Sequence, residues 1–273
     1  MAEWALVLFT VLSQMAAGAF VTLWFLDRFT GRIENGLGMF AAQGITAAMG
    51  LALLASLGHL GQPLESYRAL SQLGTSWLSR EVAAFGLFFA LTVVYCWQWR
   101  TGAARGPVGL AGSVVAVLAV VSSGMVYTLP AQPAWNNAGP LLFFLLTAFS
   151  LGPLFIAVLA HFRQYAPAKA VFWFVAAMLG CSLTGLAMYT TIMLGAEGVA
   201  RLTGWNLVSG PVFWLRLILG ILAPLGLLAY AGRQPAWNER NYVPVLFVLV
   251  LIGELLGRGL FYGSAVALKM FGS

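Results

Sequence analysis

Residues 58–82 read GHLGQPLESYRALSQLGTSWLSREV and separate two long apolar runs of the chain. We name residues 59–81 the polar island. His59 stands at its start and Glu81 at its end, each next to an apolar run. Histidine and carboxylate side chains exchange protons near neutral pH, and a charge beside hydrocarbon is costly. The stretch therefore predicts a proton-exchanging site at a membrane surface.

The composition is that of an integral membrane protein. Of the 273 residues, 61% are hydrophobic and 8% are charged, and the mean hydropathy is +0.89. Cys96 and Cys181 both lie in apolar runs, which excludes a disulfide framework and a cysteine metal site. The net charge of +6 comes from scattered cations, so no nucleic-acid surface is indicated. We predict a single domain over residues 1–273 that binds no metal.

Eight segments are long and apolar enough to cross about 30 Å of hydrocarbon, which takes roughly 20 residues. The fold class is therefore predicted as an all-α integral membrane bundle of eight transmembrane helices. The segment from Glu197 to Trp205 is predicted as a connection. The predicted spans are 4–26, 39–58, 82–99, 107–128, 139–160, 169–194, 208–230 and 242–263.

The distribution of Lys and Arg predicts the orientation. Eight of these residues follow spans one, three, five and seven, against four on the opposite side. By the positive-inside rule the first set is cytoplasmic, so both termini and the polar island are predicted on the periplasmic side of a bacterial inner membrane. The first set is Arg28, Arg32, Arg100, Arg105, Arg163, Lys169, Arg233 and Arg240; the second is Arg68, Arg80, Arg201 and Lys269.

Three further ionisable residues fall inside the last two spans. Arg216 follows Pro211 by five residues, about 8 Å at 1.5 Å per residue. Glu254 and Arg258 are four residues apart on one helix face and are expected to pair. All ionisable residues in or beside the spans are thus expected in the middle or outer half, which favours a one-sided pocket.

Structural explanations compete with this interpretation. Glu254 and Arg258 would then be an internal salt bridge, and Arg216 would neutralise Glu254 or reach the surface. His59 would stabilise a helix C-terminus, and Glu81 a helix N-terminus with Ser79 near the cap position.

The absence of redox motifs restricts the chemistry. The chain has two histidines, His59 and His161, whereas a membrane di-haem anchor needs four axial histidines. A dinucleotide fingerprint and a P-loop are also missing from the sequence. If redox chemistry occurs, an exchangeable organic carrier must bring the electrons.

Three segments carry a family resemblance: the stretch 58–82, MVYTLPAQPAWNN at 125–137 and GELLGRGLFYGS at 253–264. They resemble the DmsC family, the membrane anchors of dimethyl sulfoxide reductase-type molybdoenzymes. The resemblance implies an anchor without haem that binds quinol, menaquinol or ubiquinol, near its outer face. It also implies two partners: an iron–sulfur electron-transfer subunit and a molybdopterin catalytic subunit. The family's functional histidine and glutamate match His59 and Glu81.

We expect quinol to enter a pocket between the second, third, seventh and eighth spans. Glu81 would accept a proton and His59 would bind the other oxygen. Arg216 or Arg258 would keep Glu81 ionised, and Arg80 and Glu254 are further supporting candidates, chosen from depth and charge. Alternatives are a quinone-linked anchor of the NrfD or polysulfide reductase type, a proton-coupled transporter and a purely structural anchor.

Overall fold

The computed structural model describes residues 2–31, 33–58, 70–166, 169–233 and 242–266, with the side chains of residues 2 and 3 excepted. Within these ranges eight helices are long and apolar enough to cross a membrane, which confirms the predicted fold class. The described α-helices are α1 (Ala2–Phe25), α2 (Asn35–Leu57), α3 (Trp77–Thr101), α4 (Gly106–Val126), α5 (Gly139–Phe162), α6 (Lys169–Gly195), α7 (Gly198–Ser209), α8 (Pro211–Leu217), α9 (Ala223–Ala231) and α10 (Tyr242–Gly263).

The first helix is the centre of the bundle. It packs against α2, α4, α5 and α10, and 72% of its most apolar stretch is buried, against 22% in the seventh span, Pro211–Ala231. Gly18 of α1 faces Gly152 of α5 so closely that a Cβ on either would overlap the backbone of the facing helix. Small residues allow such close approach, which is the main source of helix association in lipid.

The seventh span is interrupted by a π-helical turn. Helices α8 and α9 are joined through Ile218–Leu222, followed by Pro224. A proline has no N–H to bond the carbonyl four residues earlier, and a wide turn accommodates this loss. Gly220 in this turn lies against Gly253 of α10 with no room for a Cβ on either residue. Gly253 therefore serves close helix packing.

One helix was not predicted. Residues 198–209 form α7, a short helix where the sequence indicated a connection. It buries Thr203, Gly204 and Leu207 and exposes Leu202 and Trp205. The sequence indicated a loop here because glycines lower helix propensity. The expectation was wrong: the segment is helical, and Gly204 lets α7 contact the end of α6 closely.

The end of the bundle where α2 stops and α3 starts is named the island end. The opposite end contains a bidentate ion pair, in which Arg105 Nε and Nη2 lie 2.9 Å from the Asp27 carboxylate oxygens. The hydrogen bond to Asp27 raises the pKa of Arg105. Both side chains are partly buried, so the expectation that buried ionisable residues occur only in the middle or outer half was wrong. Asp27 joins the bundle because α1 continues as a π helix to Thr30.

Candidate functional site

Glu81 lies in the interior at the island end of α3. The cap of this helix is Ser76, whose hydroxyl accepts a hydrogen bond from the backbone N–H of Ser79 at 3.4 Å. The expected cap position of Ser79 was therefore wrong, and Glu81 is the fifth helical residue, beyond the first turn. Its side chain is only 6% exposed. A buried carboxyl in this position does not act as a helix cap.

Three hydroxyl groups lie near the Glu81 carboxyl. The Ser123 hydroxyl of α4 is close to it but forms no hydrogen bond with it. Tyr127, at the end of α4, and Tyr262 of α10 are close enough for a charge on Glu81 to act on both. The two tyrosine oxygens are 2.9 Å apart and share a hydrogen bond. Glu81 thus faces groups that can exchange protons.

Among the described residues no arginine forms an ion pair with Glu81. The ion pair found there within 4.0 Å joins Asp27 and Arg105. Arg80, its neighbour in sequence, is directed back toward the polar island. It donates to the carbonyls of Leu73 at 2.9 Å and Gly74 at 2.6 Å, and lies 4.4 Å from the Trp77 ring centroid. Arg80 thereby fixes the loop that enters α3.

Arg216, Glu254 and Arg258 are brought together in a separate recess at the island end. This recess is lined by groups from α5, α6, α7, α8 and α10, and Trp135 contributes to its wall. Glu81 is not among its lining residues. The structure thus brings the three ionisable residues of the last two spans together, while Glu81 stands outside their recess; Tyr127 and Tyr262 lie near both Glu81 and Arg258.

The expected direct pairing of Glu254 with Arg258 was wrong. Thr147 of α5 inserts between them: its hydroxyl accepts from Arg258 Nη2 at 3.2 Å and shares its one proton between Glu254 Oε2 at 2.6 Å and the Phe143 carbonyl oxygen at 2.9 Å. Arg258 Nη2 also donates to Gln14 of α1 at 2.7 Å. The guanidinium lies 3.7 Å from the Phe144 ring centroid, which holds it away from the carboxylate. Three helices are thus joined through buried polar groups.

Arg216 occupies the other wall of this recess. Its side chain is only 9% exposed. Its guanidinium lies 5.5 Å from the Phe143 ring centroid and beside Gly257, where any Cβ would collide with it. Gly257 thus provides space for this guanidinium.

A second, apolar groove opens between α1 and α10 at the same end. Its volume is about 900 Å³, and its walls include Trp4, Val7, Leu255 and Leu260. Tyr262 also lines it. Because the Tyr262 hydroxyl contacts Tyr127 near Glu81, this residue connects the groove with the buried carboxyl.

Several polar residues at this end were not identified from the sequence. Gln14, Ser123, Tyr127, Thr147 and Tyr262 are uncharged, so their cost in a membrane helix did not distinguish them. Tyr127 and Tyr262 belong to the segments that carry the family resemblance, which was the available signal. His59 lies outside the described residues. Among the residues that are described, no group of three or more His, Cys, Asp or Glu side chains is arranged to hold a metal ion.

Comparison with known proteins gives matches to one family over nearly the whole sequence. A family model described as DMSO reductase anchor subunit (DmsC) matches residues 1–264. Anaerobic dimethyl sulfoxide reductase chain YnfH of Escherichia coli K12 is 29% identical, covering 98% of this protein and 96% of that relative. A second Escherichia coli K12 relative, which is also a chain of anaerobic dimethyl sulfoxide reductase, is 29% identical with the same coverage. A sulfite dehydrogenase subunit of Allochromatium vinosum is 34% identical over 106 residues, 32% of each protein.

Proposed function

The chain belongs to the DmsC family of DMSO reductase anchor subunits, and from this premise we propose that it oxidises membrane quinol at the island end. Its family makes it a multi-pass membrane anchor of a molybdoenzyme complex with catalytic and electron-transfer subunits. In the proposal the partners are an iron–sulfur subunit and a molybdopterin subunit. They dock over the polar island on the periplasmic face of a bacterial inner membrane.

The proposal rests chiefly on the burial of Glu81. A carboxyl that is 6% exposed at the end of an apolar helix needs a compensating role, because a charge in this position is costly. Its neighbours are hydroxyl groups, which transmit protons. This combination suits a base that is charged only transiently.

The apolar groove offers a route for the substrate. Its walls at Trp4, Leu255 and Leu260 match the isoprenoid tail and aromatic headgroup of a quinol, menaquinol or ubiquinol. The headgroup would approach Glu81 past Tyr262. Quinol would therefore enter from the lipid between α1 and α10, rather than between the second, third, seventh and eighth spans.

Oxidation of quinol releases two electrons and two protons. In the proposed mechanism the Glu81 carboxylate accepts one hydroxyl proton. His59 accepts a hydrogen bond from the second hydroxyl and relays that proton outward. The electrons would pass to an iron–sulfur cluster that the proposal assigns to the partner subunit. Arg80 supports the site by fixing the loop before α3, and the Arg216, Glu254 and Arg258 recess braces α10 behind Tyr262.

The test is a Glu81→Gln variant in the intact complex. Glutamine keeps the shape of the side chain but removes the base. We expect quinol-dependent reduction of the terminal acceptor to fall by about a hundredfold or more, the usual contribution of a general base. Reduction driven by a viologen dye, which delivers electrons directly to the partner subunits, should continue, and the complex should stay in the membrane.

The matched control is Glu197→Gln, because Glu197 is an exposed glutamate between α6 and α7 at the same end. It should retain normal quinol oxidation. Normal quinol turnover in the Glu81→Gln complex would reject the proposed role and favour a purely structural anchor.

The partial match to a sulfite dehydrogenase subunit supports a second candidate, in which electrons flow from the partner subunits to quinone. Glu81 would then deliver a proton instead of accepting one. Supplying the complex with reduced acceptor and quinone, and following quinol formation, distinguishes the two directions.

A further inference from the structure

The recess at the island end contains more positive than negative charge. Arg216 and Arg258 are 9% and 4% exposed, and Glu254 is the acidic residue in its lining. Burying an uncompensated charge costs several kcal/mol by the usual estimates. With two guanidinium groups facing one carboxylate, the lining lacks one negative charge among the residues that the structure describes.

The two guanidinium groups also have unused hydrogen-bond donors. Among the described residues Arg216 makes no hydrogen bond. Its ionic neighbour is Glu254, but the two charged groups are more than 4.0 Å apart. Nε of Arg258 is buried without a partner, although Nη2 is bound to Gln14 and Thr147. Each guanidinium carries five donors, so several remain available to an acceptor in the recess.

The remaining walls are mostly apolar and aromatic, with Leu186, Leu207 and Phe261 among them. The start of α5, at Gly139 and Pro140, also lines the recess, and a helix N-terminus favours an anion. A matching ligand is therefore an anion attached to an apolar body. Helix α7 forms part of the wall and exposes Leu202 and Trp205, as a helix at the lipid interface does.

We propose that this recess binds the phosphodiester group of one acidic phospholipid, with Arg216 and Arg258 as the donors. Glu254 remains held by Thr147 and keeps the two guanidinium groups apart. A phospholipid with a net charge of about −1 neutralises the lining, whereas a zwitterionic lipid brings its own cation into a site that already has an excess of them. The site is separate from Glu81, and the proposal does not depend on quinol oxidation.

The test uses the purified intact complex after delipidation with detergent. Phosphatidylglycerol, phosphatidylethanolamine and inorganic phosphate are added in turn, while native mass spectrometry counts retained lipid and a melting curve measures stabilisation. We expect phosphatidylglycerol to be retained on this subunit and to raise Tm more than the other two. Arg216→Gln should weaken its binding by about ten- to hundredfold, the equivalent of one charge-assisted hydrogen bond.

Two variants separate loss of the site from loss of folding. Arg216→Lys keeps the charge and should bind phosphatidylglycerol more weakly than the wild type but more tightly than Arg216→Gln. Arg201→Gln removes an exposed arginine of α7 and should bind like the wild type. Equal retention of the two lipids, normal binding by Arg216→Gln, or an equal effect of inorganic phosphate would each overturn the proposal.

Discussion

Thr147 connects two ionisable groups that do not touch each other, and its replacement by valine tests that connection. The hydroxyl donates to Glu254 at 2.6 Å and accepts from Arg258 at 3.2 Å, in a side chain that is fully buried. Valine has nearly the same shape but no hydroxyl. The substitution therefore removes the contacts of this hydroxyl with two charged groups, and its local contact with the Phe143 carbonyl at 2.9 Å, with little change in volume.

The magnitude follows from those two bonds. A hydrogen bond to a charged group contributes about 1.5–3 kcal/mol, and the two losses are not additive, because Glu254 and Arg258 lie on one helix and can approach each other. Arg258 also keeps its bond to Gln14. We expect Thr147→Val to lower the free energy of unfolding by about 3 kcal/mol.

The assay is denaturant unfolding of the purified complex in detergent, with a variant that removes a purely local hydroxyl as control. Thr22 bonds the Gly18 carbonyl of its own helix at 2.8 Å, so Thr22→Val should cost less than about 1 kcal/mol. If Thr147→Val and Thr22→Val lower the free energy of unfolding equally, Glu254 and Arg258 are stabilised without the Thr147 hydroxyl. The hydrogen bonds of that hydroxyl would then make no special contribution to stability.

Three further outcomes are expected. Gly253→Ala places a methyl group against the backbone of the π turn and should cost about 1–3 kcal/mol in unfolding experiments, whereas Gly226→Ala, with open space around it, should be nearly neutral. Asp27→Asn should cost about 1 kcal/mol, since solvent reaches both partners. Asp27 raises the pKa of Arg105 above its already high usual value, so the contribution of Arg105 to stability is lost only at strongly alkaline pH. The difference in Tm between the wild type and Asp27→Asn should therefore not change through this group between about pH 7 and pH 9. His59→Ala should weaken binding of quinol or of a competitive inhibitor in titrations of the complex. Unchanged binding would favour a helix-capping role for His59.

The sequence predicted the membrane spans well because a run of about 20 apolar residues has few other uses. The sequence also singled out Glu81, since a carboxyl beside an apolar run is costly, but it did not show that this side chain is buried. Both conclusions depend on local composition, which a single sequence displays directly.

The packing of the spans was less predictable. In a membrane helix the lipid-facing and core-facing sides are both apolar, so the pattern does not show which face meets which neighbour. Thr147 and Arg258 are 111 positions apart and Tyr127 and Tyr262 are 135 apart, and nothing local indicates that they meet. For the same reason the sequence did not show that Arg216 and Arg258 line a recess of which Glu81 is not part.

The most direct test of quinol oxidation at Glu81 is the position of a quinone or quinol-site inhibitor in an experimental map of the intact complex. The account predicts the headgroup in the region between α1, α3 and α10, with one oxygen about 2.6–3.2 Å from the Glu81 carboxyl. A headgroup bound in the Arg216 recess, or at the opposite end near Asp27, would contradict it.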